Sequence, residues 1–164
     1  MRIKSILAFA LAALIMTACG KTEKASDEQA QASTKETNEA LKVVLTGYFD
    51  VKDALVSDDA AKAKEAAAAL VISTGDYANS LNESLNTIAS TDDIEAQRVA
   101  FETLSMNLYD AAKAGGAGMT IYKQYCPMAF NDKGAFWLSN EKQVLNPYFG
   151  ASMLRCGSVK EEIN

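Results

Sequence analysis

From Glu36 to Gly115 the apolar residues recur at steps of three and four, and that period commits half the chain to amphipathic helices. Leu41, Val44, Leu45, Tyr48, Phe49, Val51, Leu55 and Val56 mark one face of a helix over Glu36–Val56. Ser57-Asp58-Asp59 then supplies a turn and an N-cap for the next helix. Ala60–Leu70 reads AAKAKEAAAAL, rich in the best helix former, whose small side chain also lets helices approach closely. The apolar face continues through Val71, Tyr77, Leu81, Leu85 and Ile88, with Gly75 marking a bend or a break. Ser90-Thr91-Asp92-Asp93 is a second cap signal, so capping accounts for both acidic pairs, Asp58-Asp59 and Asp92-Asp93. A third helix carries Phe101, Leu104 and Leu108 and stops at Gly115-Gly116-Ala117-Gly118, a helix end and hinge. The expected fold is mainly α: an up-down helical bundle of three to four helices with a small C-terminal hairpin and loop region.

Beyond the glycines the composition changes. Residues 122–157 hold both prolines, the only tryptophan and two of the three cysteines. Met119–Tyr125 is β-branched and aromatic, hence extended; Asn131-Asp132-Lys133-Gly134 is turn chemistry; Ala135–Ser139 is the returning strand of a hairpin. Asn140–Gln143 begins a helical turn, Asn146 fixes the turn before Pro147 through its side chain, and the closing VKEEIN is a short charged end.

The N-terminus is a processing signal. Arg2 and Lys4 precede a short apolar run from Ile6 to Ile15, about half of the roughly twenty residues that a spanning helix needs. Met16-Thr17-Ala18-Cys19 then resembles a lipoprotein cleavage site, with Cys19 as the lipidated residue; the alternative is an ordinary secretory signal with an incidental cysteine. The domains expected are a signal peptide over 1–18, a flexible tether over 19–37 and a helical domain over 38–164 that carries the 122–157 region. Gly20 in place of Asp favours the periplasmic face of the outer membrane over inner-membrane retention, with exposure at the cell surface left open. The lipid on Cys19 makes the membrane the first expected partner.

Charge narrows the function classes. There are 16 Lys and Arg against 21 Asp and Glu, and loss of Arg2 and Lys4 with the signal leaves 14 against 21, a net charge of −7. No basic stripe is present, which argues against nucleic acid. No histidine is present, so the commonest acid–base catalyst and metal ligand is missing. With no C-x-x-C pair and no nucleophile motif either, no enzyme is expected.

What remains is sulfur. Lipidation of Cys19 leaves Cys126 and Cys156 as a pair in a compartment that permits disulfides. Each has a methionine beside it, as Cys126-Pro127-Met128 and Met153-Leu154-Arg155-Cys156, with 27 positions from Cys126 to Met153. Two readings stand at this point. A bridge would staple the domain, contributing about 3–4 kcal/mol for a loop of this length in the chain-entropy picture. Alternatively, two thiolates and two thioethers are the soft donors that suit Cu(I).

Four pieces also carry a resemblance: Tyr122–Ala129 (YKQYCPMA), Gly134–Ser139 (GAFWLS), Asn146–Gly150 (NPYFG) and Met153–Gly157 (MLRCG). With the helices they resemble the bacterial domain-of-unknown-function family 3347 over about residues 40–163. Such domains occur as small exported proteins and fused to periplasmic adaptor subunits of heavy-metal efflux systems. The Y-x-C-P-M piece also resembles the start of a heavy-metal-binding motif, although Ala129 and Phe130 stand where that motif has His-Pro. The resemblance implies handling of a soft ion, Cu(I) or Ag(I), alongside efflux components. The ligands expected are Cys126, Met128, Met153 and Cys156, with Trp137, Tyr148 and Phe149 as the surrounding packing; Met119 is either a further donor or packing at the start of the hairpin. The alternative is a disulfide-stabilised helical protein-interaction module without metal, bridged through Cys126 and Cys156.

Overall fold

The structure, a computed structural model, describes residues 23–164, with side chains from residue 39 onward. Four α-helices come first: α1 (Glu23–Val56), α2 (Ala60–Ser73), α3 (Ala78–Ser90) and α4 (Ile94–Gly115). Strand β1 (Ile121–Cys126), a one-turn segment (Ala129–Asp132) and strand β2 (Ala135–Ser139) follow. A 3-10 turn (Gly150–Met153) and strand β3 (Ser158–Ile163) complete the order. Successive helices pack on one another and α4 returns to α1, so the bundle closes on itself. The fold is mainly α, as the periodicity requires.

Local chemistry explains most boundaries. The Asp59 carboxylate accepts the Lys62 N–H at the start of α2, and the Asp93 carboxylate accepts the Glu95 N–H at the start of α4. Gly75 has φ +51 and separates α2 from α3 by a 3-10 turn, the break its position suggests. The α4 C-cap is Gly116, with φ +73 and its N–H on the Ala112 carbonyl. Ala63 and Ala67 of α2 are fully buried. Gly47 on α1 lies against α2 so closely that a Cβ there would stand 2.8 Å from Leu70 Cδ1.

Three expectations need correction. First, α1 begins at Glu23, so the segment read as a tether over 19–37 is helical backbone from Glu23 on. Its Ala, Glu, Gln and Lys residues are good helix formers even without an apolar face. Residues 1–22, and with them the signal peptide and Cys19, lie outside the described residues. Second, Asn140–Gln143 forms no helical turn. The fully buried Gln124 side chain donates from Nε2 to the carbonyls of Glu141 (2.8 Å) and Gln143 (3.1 Å), and so draws them away from a helical pattern. Third, the C-terminal VKEEIN is an edge strand. β3 pairs antiparallel with β1 in a sheet ordered β2-β1-β3, so the first strand of the hairpin becomes the central one.

The sheet is fastened to the bundle along β2. Two tyrosines satisfy the outward-facing backbone of that edge strand. Tyr48 Oη of α1 accepts the Leu138 N–H (3.0 Å), and Tyr148 Oη donates to the Phe136 carbonyl (2.6 Å). Tyr48 also shares a hydrogen bond with Ser105 Oγ (2.7 Å) and stacks on Phe101 with centroids 4.9 Å apart. Its burial raises the phenol pKa well above the ordinary value.

A second fastening holds the 147–151 loop. Arg98 of α4 is 5% exposed. Its Nε donates to the Pro147 carbonyl (2.9 Å), and its guanidinium pairs with Asp58 (2.6 Å) and Glu95 (2.6 Å). The other Asp58 oxygen accepts the Ala151 N–H (2.9 Å). Asp58, expected as a capping residue, is thus a clamp residue, and Asp59 alone caps α2. Gly150 makes room for it: at φ +53, a Cβ there would lie 1.9 Å from Asp58 Oδ1.

Breaking this clamp leaves a buried carbonyl and a carboxylate without their partner. Arg98→Leu is expected to lower stability by about 2–4 kcal/mol, and Gly150→Ala by about 1–3 kcal/mol, both measured by chemical denaturation. The Ala151 N–H, and then the Arg98 guanidinium, hold the Asp58 carboxyl below its ordinary range. The folded value is therefore below the unfolded one. The clamp contributes above about pH 4 and is lost as pH falls through the lowered value. Stability curves of wild type and Asp58→Asn should accordingly converge in acid.

Candidate functional site: a thiol pair beside a thioether cleft

The site is assembled by strand register. β1 pairs with β3 so that Tyr125 stands opposite Ser158. One step along each strand brings Cys126, the last residue of β1, to the end of the sheet where Gly157 and Cys156 enter β3. Residues 30 positions apart thereby become neighbours. Both cysteines are unbridged. The two thiols are near neighbours, close enough for Cys126 to perturb the titration of Cys156, and the Met128 backbone lies near the same sulfur.

Asn146 holds the returning loop in place. It is fully buried. Its Oδ1 accepts the Tyr148 N–H (2.8 Å), so the side chain fixes the turn around Pro147 as expected. Its Nδ2 donates to the Cys156 carbonyl (2.9 Å), and its own N–H donates to the Leu154 carbonyl (2.9 Å). Cys156 N–H closes a turn on the Met153 carbonyl (3.0 Å). One amide therefore positions Cys156, and with it the spacing of the Met153–Cys156 pair.

The two methionines come to the same end of the molecule in a different setting. Met128 and Met153 line a cleft of about 580 Å³ together with Phe130, Tyr148 and Phe149, and the two cysteines are not among its lining residues. Cys126 is fully buried, whereas Met128 is 46% exposed. The four sulfurs expected to converge thus fall into a thiol pair, with Cys126 buried and Cys156 part-buried, and a thioether pair on the cleft, with Met128 exposed and Met153 part-buried. Met119 packs against the core. Trp137 is fully buried and Tyr148 nearly so, packed edge to face with centroids 5.9 Å apart. Phe149 is half-buried on the cleft wall.

Periodicity does not reveal how that wall is shaped. Phe130, Asn131 and Asp132 are consecutive and all left-handed, with φ 53, 58 and 66. A side chain in that region costs roughly 1–2 kcal/mol per residue, and three in a row need outside support. The Gly134 N–H bonds the Ala129 carbonyl (2.9 Å), and the Phe130 ring packs on Tyr148 with centroids 5.1 Å apart. Asn131-Asp132 was legible as turn chemistry; Phe130 in that conformation was not.

The Cys126 thiol beside it, and then burial, raise the Cys156 pKa above the ordinary thiol range. Among the described residues, no three His, Cys, Asp or Glu side chains form a cluster suited to a metal ion. Any ion held here would depend on the two thiols with thioether help. No helix of the described residues is long and apolar enough to cross a membrane.

Comparison with known proteins places the helical half. Residues 44–120 match the family described as protein of unknown function DUF3347. The match runs from within α1 to the residue before β1, so it covers the helices and stops short of all four sulfur donors. No curated protein and no solved structure matches the chain.

The geometry sets an expectation for thiol chemistry. Cys156 carries the more accessible thiol, and its raised pKa lowers the thiolate fraction at neutral pH. Its alkylation by iodoacetamide should be slower than that of a free cysteine at pH 7 and should rise through the alkaline range. Cys126→Ala removes the first cause of the shift, so the Cys156 rate profile should move to lower pH.

Proposed function

We propose that this protein binds a soft monovalent cation, Cu(I) or Ag(I), through Cys126 and Cys156, with Met128 and Met153 beside them. The observation that carries the proposal is the proximity of the two thiols, brought together by the β1–β3 register, at the sheet end where both methionines also sit. Two adjacent thiolates can hold a two-coordinate soft cation, and thioethers are the other side-chain donors that such ions favour. The donor set fits the ion class: no histidine exists in the chain, and no carboxylate cluster competes among the described residues. As a lipoprotein anchored through Cys19 on the periplasmic face of the outer membrane, the protein would act in metal handling alongside efflux components.

The test is a titration of the reduced chain with Cu(I) against a chelating competitor. One ion per chain is expected, and Cys126→Ser/Cys156→Ser should weaken binding by about a hundredfold or more, since each lost thiolate removes a charged donor. Both thiols must lose a proton on binding. The apparent affinity should therefore climb steeply with pH, by up to about two log units per pH unit while both thiols are protonated.

The proximity of the two thiols also favours the second reading, in which they form a bridge. On that reading the domain is a disulfide-stapled interaction module. It prevails if the reduced protein takes up no Cu(I) while oxidation raises the melting temperature.

A further inference from the structure

We propose that Met128 and Met153 form an entry tier for the cation, separate from the dithiol that retains it. The inference rests on the soft-metal reading and assigns the four sulfurs two successive roles. A single four-sulfur shell would place all four donors around one enclosed point. Here the two pairs differ in setting. The thioethers line a solvent-open cleft of about 580 Å³ that the cysteines do not line, and Cys126 is fully buried.

The exposure of Met128 points the same way. A methionine serving only as core filler is buried, as Met119 largely is, yet Met128 stands 46% exposed against an aromatic wall of Phe130, Tyr148 and Phe149. Its position is imposed by the backbone. It follows Cys126-Pro127 directly and precedes the left-handed run Phe130–Asp132. The residue on the cleft wall is thus separated from Cys126 by Pro127 alone. Carboxylates of Glu95 and Asp132 on the same cleft supply negative charge, although Glu95 is paired with Arg98.

The chemistry balances without an oxidant or reductant. A hydrated monovalent cation sheds water to two neutral thioethers, which hold it weakly and without proton release. It then passes to the thiol sulfurs as their two protons leave to water, and the methionines are freed. No electron moves and no covalent bond forms between side chains.

Ag(I), added as silver nitrate to the full chain labelled with carbon-13 on the methionine methyls, separates the tiers. In Cys126→Ser/Cys156→Ser the Met128 and Met153 methyl signals should still shift with Ag(I). The Met106 signal, from a thioether 42% exposed on α4, should stay in place. A second arm keeps the wild-type thiols and reads Trp137 fluorescence by stopped flow. That ring lies close to the site, since a Cβ on Gly157 would stand 3.1 Å from it. Met128→Leu/Met153→Leu should slow Ag(I) uptake about tenfold while equilibrium affinity stays within about threefold. Uptake by wild type with unmoved Met128 and Met153 signals in the cysteine variant overturns the entry tier and leaves the dithiol site standing. The same holds for a large affinity loss through faster dissociation in the methionine variant, which restores a four-sulfur shell. No Ag(I) uptake by wild type overturns both readings.

Discussion

Arg98 is the residue on which the relation between the two halves of the molecule depends. It stands on the last helix of the bundle, nearly buried, and reaches the turn after α1 through Asp58 and the C-terminal loop through the Pro147 carbonyl. A guanidinium can do this because its planar fork presents several donors at fixed angles; a lysine offers a single point charge. The same Asp58 carries the Ala151 N–H, and Gly150 is the residue that lets the carboxylate in. Through Pro147 this clamp is continuous with Asn146, which fixes Cys156. The helical half carries none of the four candidate sulfurs; its part is to hold the loop that leads to Met153 and Cys156.

The helical half was legible because its signals are local. Steps of three and four gave the faces, Asp59 and Asp93 gave the starts, and Gly75 and Gly116 gave the breaks. Each of these is decided within a few residues along the chain. The start of α1 was misjudged because a polar segment of good helix formers has no apolar face to announce it. Asp58 was read as half of a capping pair because its partners, Arg98 and Ala151, lie 40 and 93 positions away. Gln124, which draws in the carbonyls of the 141–143 segment, was invisible for the same reason.

For the candidate site, the residues were named from sequence, and the grouping of their sulfurs was not. That Cys126 and Cys156 would meet follows from β3, and β3 was read as a charged end. Its alternation of Val159, Glu161 and Ile163 was too short and too acidic to stand out, yet Glu161 is held by Lys113 (2.6 Å) and Tyr109 (2.7 Å) of α4. Those contacts turn an acidic residue into one that suits the inner face of an edge strand. The family match also falls unevenly. The matched segment ends at residue 120, so the bundle is the part shared with the family's pattern, and the sulfur-bearing end is argued from this chain's own geometry.

The strand order has a consequence in time. The helices rest on contacts between consecutive segments and can form as the polypeptide emerges, whereas the central strand waits for a partner that begins at Ser158. Throughout that interval Cys126 lacks the thiol that becomes its neighbour. The site is therefore most exposed to wrong thiol partners before it exists. The pairing of β3 with β1 ends that vulnerable period for Cys126 and completes the sheet in the same step.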